Sequence, residues 1–160
     1  MTQRNLTHAV APAAPGRWLV LAIVSSALLL IVVDMTVLYT ALPRLTHELG
    51  VTASSKLWIV NIYALVVSGL LLGMGTLGDR LGHKRLFMMG LVVFGAASLA
   101  AAYSPNPGAL IAARAVLAIG AAMMMPATLS ILRLTFTDER ERAVAIGVWA
   151  SVASGGAALG

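Results

Sequence analysis

Residues 18–42 read WLVLAIVSSALLLIVVDMTVLYTAL, a run of 25 residues that holds a single charge, Asp34. A helix needs about 20 mostly apolar residues to cross a bilayer, so this run predicts a transmembrane helix. A carboxylate near the middle of such a helix costs roughly 2.5–3.5 kcal/mol on insertion scales. Asp34 therefore predicts a site for a partner, a proton or a ligand inside a helix bundle. The alternatives are a position at the aqueous end of a short helix, or an internal salt bridge.

The composition of the whole chain indicates the same class of protein. Of its 160 residues, 59% are hydrophobic and 11% are charged, and the mean hydropathy is +0.91. An ordinary soluble domain does not have these values. We predict an all-α, polytopic transmembrane bundle with spans at 18–42, 57–77, 86–103, 109–132 and 143–160. The fifth apolar run is still in progress at residue 160, so we expect this chain to be the N-terminal piece of a longer protein.

The distribution of basic residues predicts the orientation of the bundle. Eight of them flank alternate spans on one side: Arg4, Arg17, Arg80, Lys84, Arg85, Arg133, Arg140 and Arg142. The other side has Arg44 and Lys56, and Arg114 lies within a span. The positive-inside rule then places the N-terminus and residues 78–85 and 133–142 in the cytoplasm. The net charge of +5 therefore reflects orientation, with anionic lipid headgroups as partners and not nucleic acid.

The first apolar run predicts a retained helix and not a cleaved signal peptide. It is too long for a typical signal peptide's apolar region, it contains Asp34, and it lacks a clean small-x-small cleavage site before Pro43. We predict that residues 1–16 form a flexible cytoplasmic segment. The chain has no cysteine, which excludes disulfide and thiol chemistry in it. No cofactor motif is apparent, and His83 has no second ligand at metal-binding spacing.

Three polar residues are predicted to share the outer half of the membrane. Counted along the helices, Asp34 lies ~12 Å, Asn61 ~6 Å and Arg114 ~8 Å from the outer boundary. A carboxylate and a guanidinium at neighbouring depths can lower each other's desolvation cost, and each alters the proton affinity of the other. The alternative is a static, purely structural ion pair.

The segment that follows the second span contains glycine turns and a charged cluster. It reads Gly75-Thr76-Leu77-Gly78-Asp79-Arg80-Leu81-Gly82-His83-Lys84-Arg85. On physical grounds this predicts a tight, charged loop between two helices, with its basic residues at lipid headgroups. The segment closely resembles the Gly-x-Leu-Ala-Asp-Arg-x-Gly-Arg-Lys-Arg signature of the major facilitator superfamily. Gly78 replaces the alanine of that signature, and His83 replaces its first arginine.

Two later segments also resemble this superfamily, in the expected order. Arg114 followed by Gly120 resembles the arginine-containing motif of the fourth helix, for which the resemblance implies a part in proton transfer. Gly147, Gly156 and Gly160 have the Gly-x8-Gly-x3-Gly spacing that opens the antiporter signature of drug exporters. In physical terms, Gly156 and Gly160 alone predict only close helix packing.

The first helix narrows the resemblance to one branch of the superfamily. Residues 33–43 are similar to the Leu-Asp-x-Thr-Val-x-x-x-Ala-Leu-Pro motif of the fourteen-helix drug:proton antiporters, in particular exporters of quaternary ammonium compounds and methyl viologen. Leu57-Trp58-Ile59-Val60 and Tyr63 also resemble that branch. Where those relatives commonly have an aspartate, this chain has Asn61, which cannot titrate. A second proton site at this position is therefore in doubt.

From these observations we predict a proton-coupled exporter of lipophilic cations in the inner membrane, and not an enzyme. Asp34 and Arg114 are the candidate proton and cation site, and Asn61, Trp58, Tyr63 and Met124 are candidate substrate contacts. The residues of the charged loop are candidates for controlling conformational change. The alternatives are a nutrient symporter or uniporter on the same scaffold, or a membrane scaffold protein that transports nothing.

Overall fold

The computed structural model describes residues 16–48 and 52–158, and within these ranges the chain forms five α-helices. They are α1 (Arg17–Glu48), α2 (Ala53–Leu81), α3 (His83–Ala102), α4 (Pro107–Thr135) and α5 (Glu139–Ala158). The predicted N-terminal segment, apart from Gly16, and the predicted motif residue Gly160 lie outside the described residues. No strand occurs in the described ranges, so the predicted all-α class is confirmed.

Four of these helices are long and apolar enough to cross a membrane. They cover Arg17–Pro43, Ala53–Leu81, His83–Ala102 and Pro107–Thr135. This result confirms the prediction of a polytopic bundle. The described part of α5 is not apolar enough over a membrane-spanning length, because the helix opens with four successive charged residues, 139–142.

Helix α4 forms the centre of the bundle. Of its most apolar stretch 56% is buried, against 11% for the corresponding stretch of α2. It packs against each of the other four helices. One apolar core contains residues from α1, α2, α3 and α4, for example Ile31, Tyr63, Phe94 and Leu117. Any charged side chain that α4 directs into the bundle is therefore shielded from lipid and water.

Helices α3 and α4 make backbone-to-backbone contact through two glycines. A Cβ atom added to Gly120 would lie 2.8 Å from the backbone nitrogen of Phe94, and one added to Gly90 would lie 2.9 Å from the carbonyl oxygen of Gly120. Small residues that allow backbones to approach in this way are characteristic of helix packing in membranes. Gly120, the second residue of the predicted helix-4 motif, thus has a packing role.

The predicted loop at residues 78–85 is a one-residue connection. Helix α2 continues to Leu81 and α3 begins at His83, so Gly82 alone separates them. Its φ of 92° lies in the left-handed region that favours glycine, so the turn between the two helices is made at this one residue. Its N–H donates to the carbonyl of Gly78, and its own carbonyl accepts from the N–H of Leu86. The charged residues on either side therefore lie on helix ends.

Other connections are also shorter than the predicted spans imply, because helices continue beyond the apolar runs. Helix α1 passes through Pro43 and ends at Glu48, six residues after the predicted limit at residue 42. Helix α4 begins at Pro107, where a missing N–H costs nothing, and the side chain of Asn106 caps it by accepting from the N–H of Ala109.

Candidate functional site

The membrane-embedded carboxylate and guanidinium meet inside the bundle. Arg114 Nη1 on α4 lies 3.6 Å from Asp34 Oδ2 on α1, and their side chains are 4% and 19% exposed. An unpaired charge at this depth would be costly, so each stabilises the other. Depth along the helices had predicted only comparable levels for these groups. The packing of α1 on α4 brings them together.

Tyr63 from α2 completes this cluster. The Arg114 guanidinium lies over the Tyr63 ring, with its carbon 5.2 Å from the ring centroid, which is a cation–π arrangement. Tyr63 is fully buried. It therefore lies inside the helix bundle, packed in the apolar core. In this conformation one face of its ring contacts Arg114, so its predicted substrate contact would require a rearrangement.

The cluster retains unused hydrogen-bonding capacity. Among the described residues, Asp34 Oδ2, the Tyr63 hydroxyl and Arg114 Nε are buried and have no hydrogen-bond partner. Buried polar groups usually have such partners, and exceptions require an explanation. A carboxylate, a phenol and a guanidinium with spare donors and acceptors can accept a proton or a polar ligand without dismantling other structure.

An apolar groove lies beside this cluster. It has a volume of about 510 Å³ and is lined by Ile31, Val32, Met35, Thr36, Tyr39, Met125 and Ala153 from α1, α4 and α5. Asp34 lies in the α1 segment that forms one wall of the groove, although its own side chain is not part of the lining. Methionine and tyrosine side chains beside a carboxylate suit a bulky organic cation.

Met125, and not the predicted Met124, reaches this groove. Met124 is fully buried, and its Cγ would lie 2.8 Å from a Cβ atom added to Gly90, so it packs against α3. Met124 therefore does not line the groove in this conformation, and its part in substrate contact stays a prediction. Helical spacing contained the signal that was missed. Met125 follows Arg114 by 11 residues, about three turns, and so lies on the same side of α4.

Asn61 and Trp58 lie on a different surface. Both are exposed on α2 and line a cavity of about 210 Å³ together with Ser54, Leu57 and Leu65. Asn61 is two residues from Tyr63, which is about 200° around a helix, so the two side chains point to opposite sides. The structure does not bring Asn61 to Asp34, and its part in substrate contact stays a prediction.

The residues of the charged motif meet at the junction of α2 and α3. His83 Nε2 lies 3.2 Å from Asp79 Oδ1, whereas Arg80, Lys84 and Arg85 are exposed. A Cβ atom added to Gly75 would have no neighbour within 4 Å. The control of conformational change by this motif stays a prediction.

The described part of the antiporter motif lies on α5. A Cβ atom on Gly147 would meet nothing within 4 Å among the described residues, so this glycine makes no close helix contact there. Gly156 belongs to the helix, and Gly160 lies outside the described residues. An ion pair between Glu141 and Arg17 joins the start of α5 to the start of α1.

A bundle of membrane-length helices with a charged cluster at its centre defines a multi-pass α-helical membrane protein. The sequence profile of the Major Facilitator Superfamily matches residues 24–160, and the chain belongs to this superfamily. Its members are transporters and not enzymes.

Individual relatives are drug efflux and resistance proteins. The chain is 52% identical over 144 residues to the methyl viologen resistance protein SmvA of Salmonella typhimurium, which covers 90% of this chain and 29% of that protein. It is 46% identical to the multidrug efflux pump LfrA of Mycolicibacterium smegmatis, over 89% of this chain and 28% of the pump. It is 41% identical to the puromycin resistance protein pur8 of Streptomyces alboniger, over 91% of this chain and 29% of that protein. The chain thus spans less than a third of the length of these relatives.

Proposed function

We propose that this bundle belongs to a proton-coupled antiporter that exports lipophilic cations, including quaternary ammonium compounds. The observation that carries the proposal is the pair of half-buried Asp34 and buried Arg114, which lies within the spans next to the groove between α1, α4 and α5. The relatives named for methyl viologen resistance and multidrug efflux support the class of substrate.

In this proposal a proton and the cation compete for Asp34. When Asp34 is deprotonated, its charge attracts an organic cation into the groove, and the apolar lining binds the rest of the substrate. When Asp34 binds a proton, that attraction is lost and the cation leaves. Arg114, 3.6 Å from the carboxylate, moderates its charge without holding it in a hydrogen bond. Alternating access then carries the proton and the cation in opposite directions.

We also propose that the protein lies in the inner (plasma) membrane with its N-terminus in the cytoplasm. The excess of basic residues at one end of the bundle supports this orientation. Anionic lipid headgroups at that end are the proposed partners of Arg80, Lys84 and Arg85. Lys84 also borders a largely apolar groove of about 320 Å³ between α1, α3 and α4, which suits an acyl chain.

The test of the transport proposal is Asp34→Asn in the full-length protein. We expect proton-coupled export of a cationic dye such as ethidium to fall below about a tenth of the parental rate, because asparagine can bind no proton at this pH. Everted vesicles would be assayed for dye uptake and for proton release when the dye is added.

Asp138→Asn is the matched control, since it makes the same chemical change outside the spans. The Asp138 side chain accepts from the N–H of Glu141 at the start of α5, and asparagine caps helices equally well. The control should export at the parental rate. Parental export by an Asp34→Asn variant present in the membrane at normal amounts would refute the proposed role.

A further inference from the structure

The two residues at which this chain departs from the superfamily signature, Gly78 and His83, contact each other. Gly82 turns the chain so tightly that His83, at the start of α3, lies against the last turn of α2. The His83 side chain is only 17% exposed, although it lies at a helix end, and Gly78 is buried. The imidazole ring of His83 lies against Gly78 on one side and Asp79 on the other.

The imidazole occupies the space that a side chain at residue 78 would need. A Cβ atom added to Gly78 would lie 2.6 Å from His83 Nδ1, 3.1 Å from His83 Cε1 and 3.3 Å from Leu86 Cδ2. The other ring nitrogen, Nε2, lies 3.2 Å from Asp79 Oδ1. The ring fits in this place because residue 78 is glycine, and from there it contacts the Asp79 carboxylate.

We propose that Gly78 and His83 form one unit that positions Asp79 at the junction of α2 and α3. Histidine is shorter and stiffer than arginine, so it reaches Asp79 only by packing directly on the backbone of α2. That approach requires glycine at residue 78. Arginine, with its long flexible stem, can reach the same carboxylate around an alanine. The two departures from the signature therefore compensate for each other.

This inference rests on the proposed function, in which Asp79 would act in the conformational step of transport. A double-mutant cycle in the full-length protein tests whether Gly78 and His83 act as one unit. Gly78→Ala should push the imidazole off Asp79 and slow turnover about two- to fivefold, the size expected for the loss of a partly exposed polar side-chain contact, with KM unchanged. In a His83→Arg background, the addition of Gly78→Ala should slow turnover by less than about 1.5-fold. Gly73→Ala, on the same helix with open space around it, is the matched control and should be neutral. An equal loss from Gly78→Ala in both backgrounds would overturn the proposal.

A second measurement on the same full-length variants needs no transport. Diethyl pyrocarbonate modifies accessible imidazoles, and peptide mass spectrometry reports each histidine separately. In Gly78→Ala, the labelling rate of His83 should rise at least about threefold as the ring moves into water, while His8 and His47 serve as internal references. Unchanged labelling of His83 would overturn the proposal. If the parent protein exports no cation, the transport proposal fails, but the labelling result still decides whether Gly78 seats His83.

Discussion

At the scale of single residues, two arginine–carboxylate pairs that join helices in the described part of the chain differ in geometry. Arg17 and Glu141 form a two-pronged pair, with Nη2 donating to Oε1 at 2.9 Å and Nη1 donating to Oε2. Asp34 and Arg114 approach only to 3.6 Å and make no hydrogen bond between them. Bidentate pairs are strong and geometrically specific, which suits a structural link. The looser pair is consistent with an Asp34 that exchanges its partner, as the proposed proton and cation site requires.

Tyr63 gives a prediction at this scale, because its ring and its hydroxyl can be separated by mutation. The ring contacts Arg114, whereas the hydroxyl has no hydrogen-bond partner among the described residues. Tyr63→Phe should therefore keep export within about twofold of the parent. Tyr63→Leu removes a cation–π contact of about 0.5–2 kcal/mol and should lower export about two- to thirtyfold. Dye export at equal protein amounts is the measurement. If Tyr63→Phe is as damaging as Tyr63→Leu, the hydroxyl takes part in transport.

At the scale of the helices, α4 holds the site in place by packing closely on α3. The glycine contact leaves no room between the two backbones, and Met124 fills the adjacent space. Arg114 extends from the same helix towards α1 and α2. A shift of α4 relative to α3 would therefore move the guanidinium relative to Asp34 and Tyr63.

The close α3–α4 contact predicts that Gly120→Ala is destabilising. The added methyl group would meet backbone atoms of α3, which cannot rotate away, and overpacking of this kind costs about 1–3 kcal/mol. Gly95→Ala on α3 is the control, because a Cβ atom there would meet nothing within 4 Å. The thermal unfolding of the purified full-length variants in detergent is the measurement. Equal stability of the two variants would contradict this prediction, since it would mean that α3 and α4 can move apart without loss of stability.

At the scale of the whole molecule, both ends of the bundle offer positions that report on orientation. Thr137 is exposed in the connection between α4 and α5, at the end of the bundle rich in basic residues. Ser54 is exposed near the start of α2, at the opposite end. Neither position has the positive φ of Gly82, so a cysteine, which is similar in size to serine and threonine, can replace either residue.

Single cysteines at these two positions test the proposed topology. This chain contains no cysteine, so labelling at any other site in the full-length protein can be measured in the parent and subtracted. A membrane-impermeant maleimide added to intact cells should label Ser54→Cys and leave Thr137→Cys unmodified. In everted vesicles the pattern should reverse. Labelling of Thr137→Cys from outside would invert the orientation and place Asp34 in the cytoplasmic half.

The sequence alone was sufficient to predict the class of fold and the residues of the central ion pair. Membrane-length apolar runs leave few structures other than helices, because backbone groups cannot remain unpaired in lipid. Charges are so costly in these runs that Asp34 and Arg114 stood out without any structure. The superfamily motifs could be read from short contiguous segments for the same reason, since spacing within one segment needs no tertiary contact.

Only the tertiary structure decided which side chains meet. The orientation of each helix about its axis determines that Tyr63 faces Arg114, that Asn61 points away, and that Met125 reaches the groove in place of Met124. Helices α1 to α4 are apolar around most of their circumference, so the hydrophobic pattern specifies this rotation weakly. The contact between Gly78 and His83 likewise depends on the one-residue turn at Gly82. Residue spacing predicted a loop there, but the path of the chain was decided by how α2 and α3 pack.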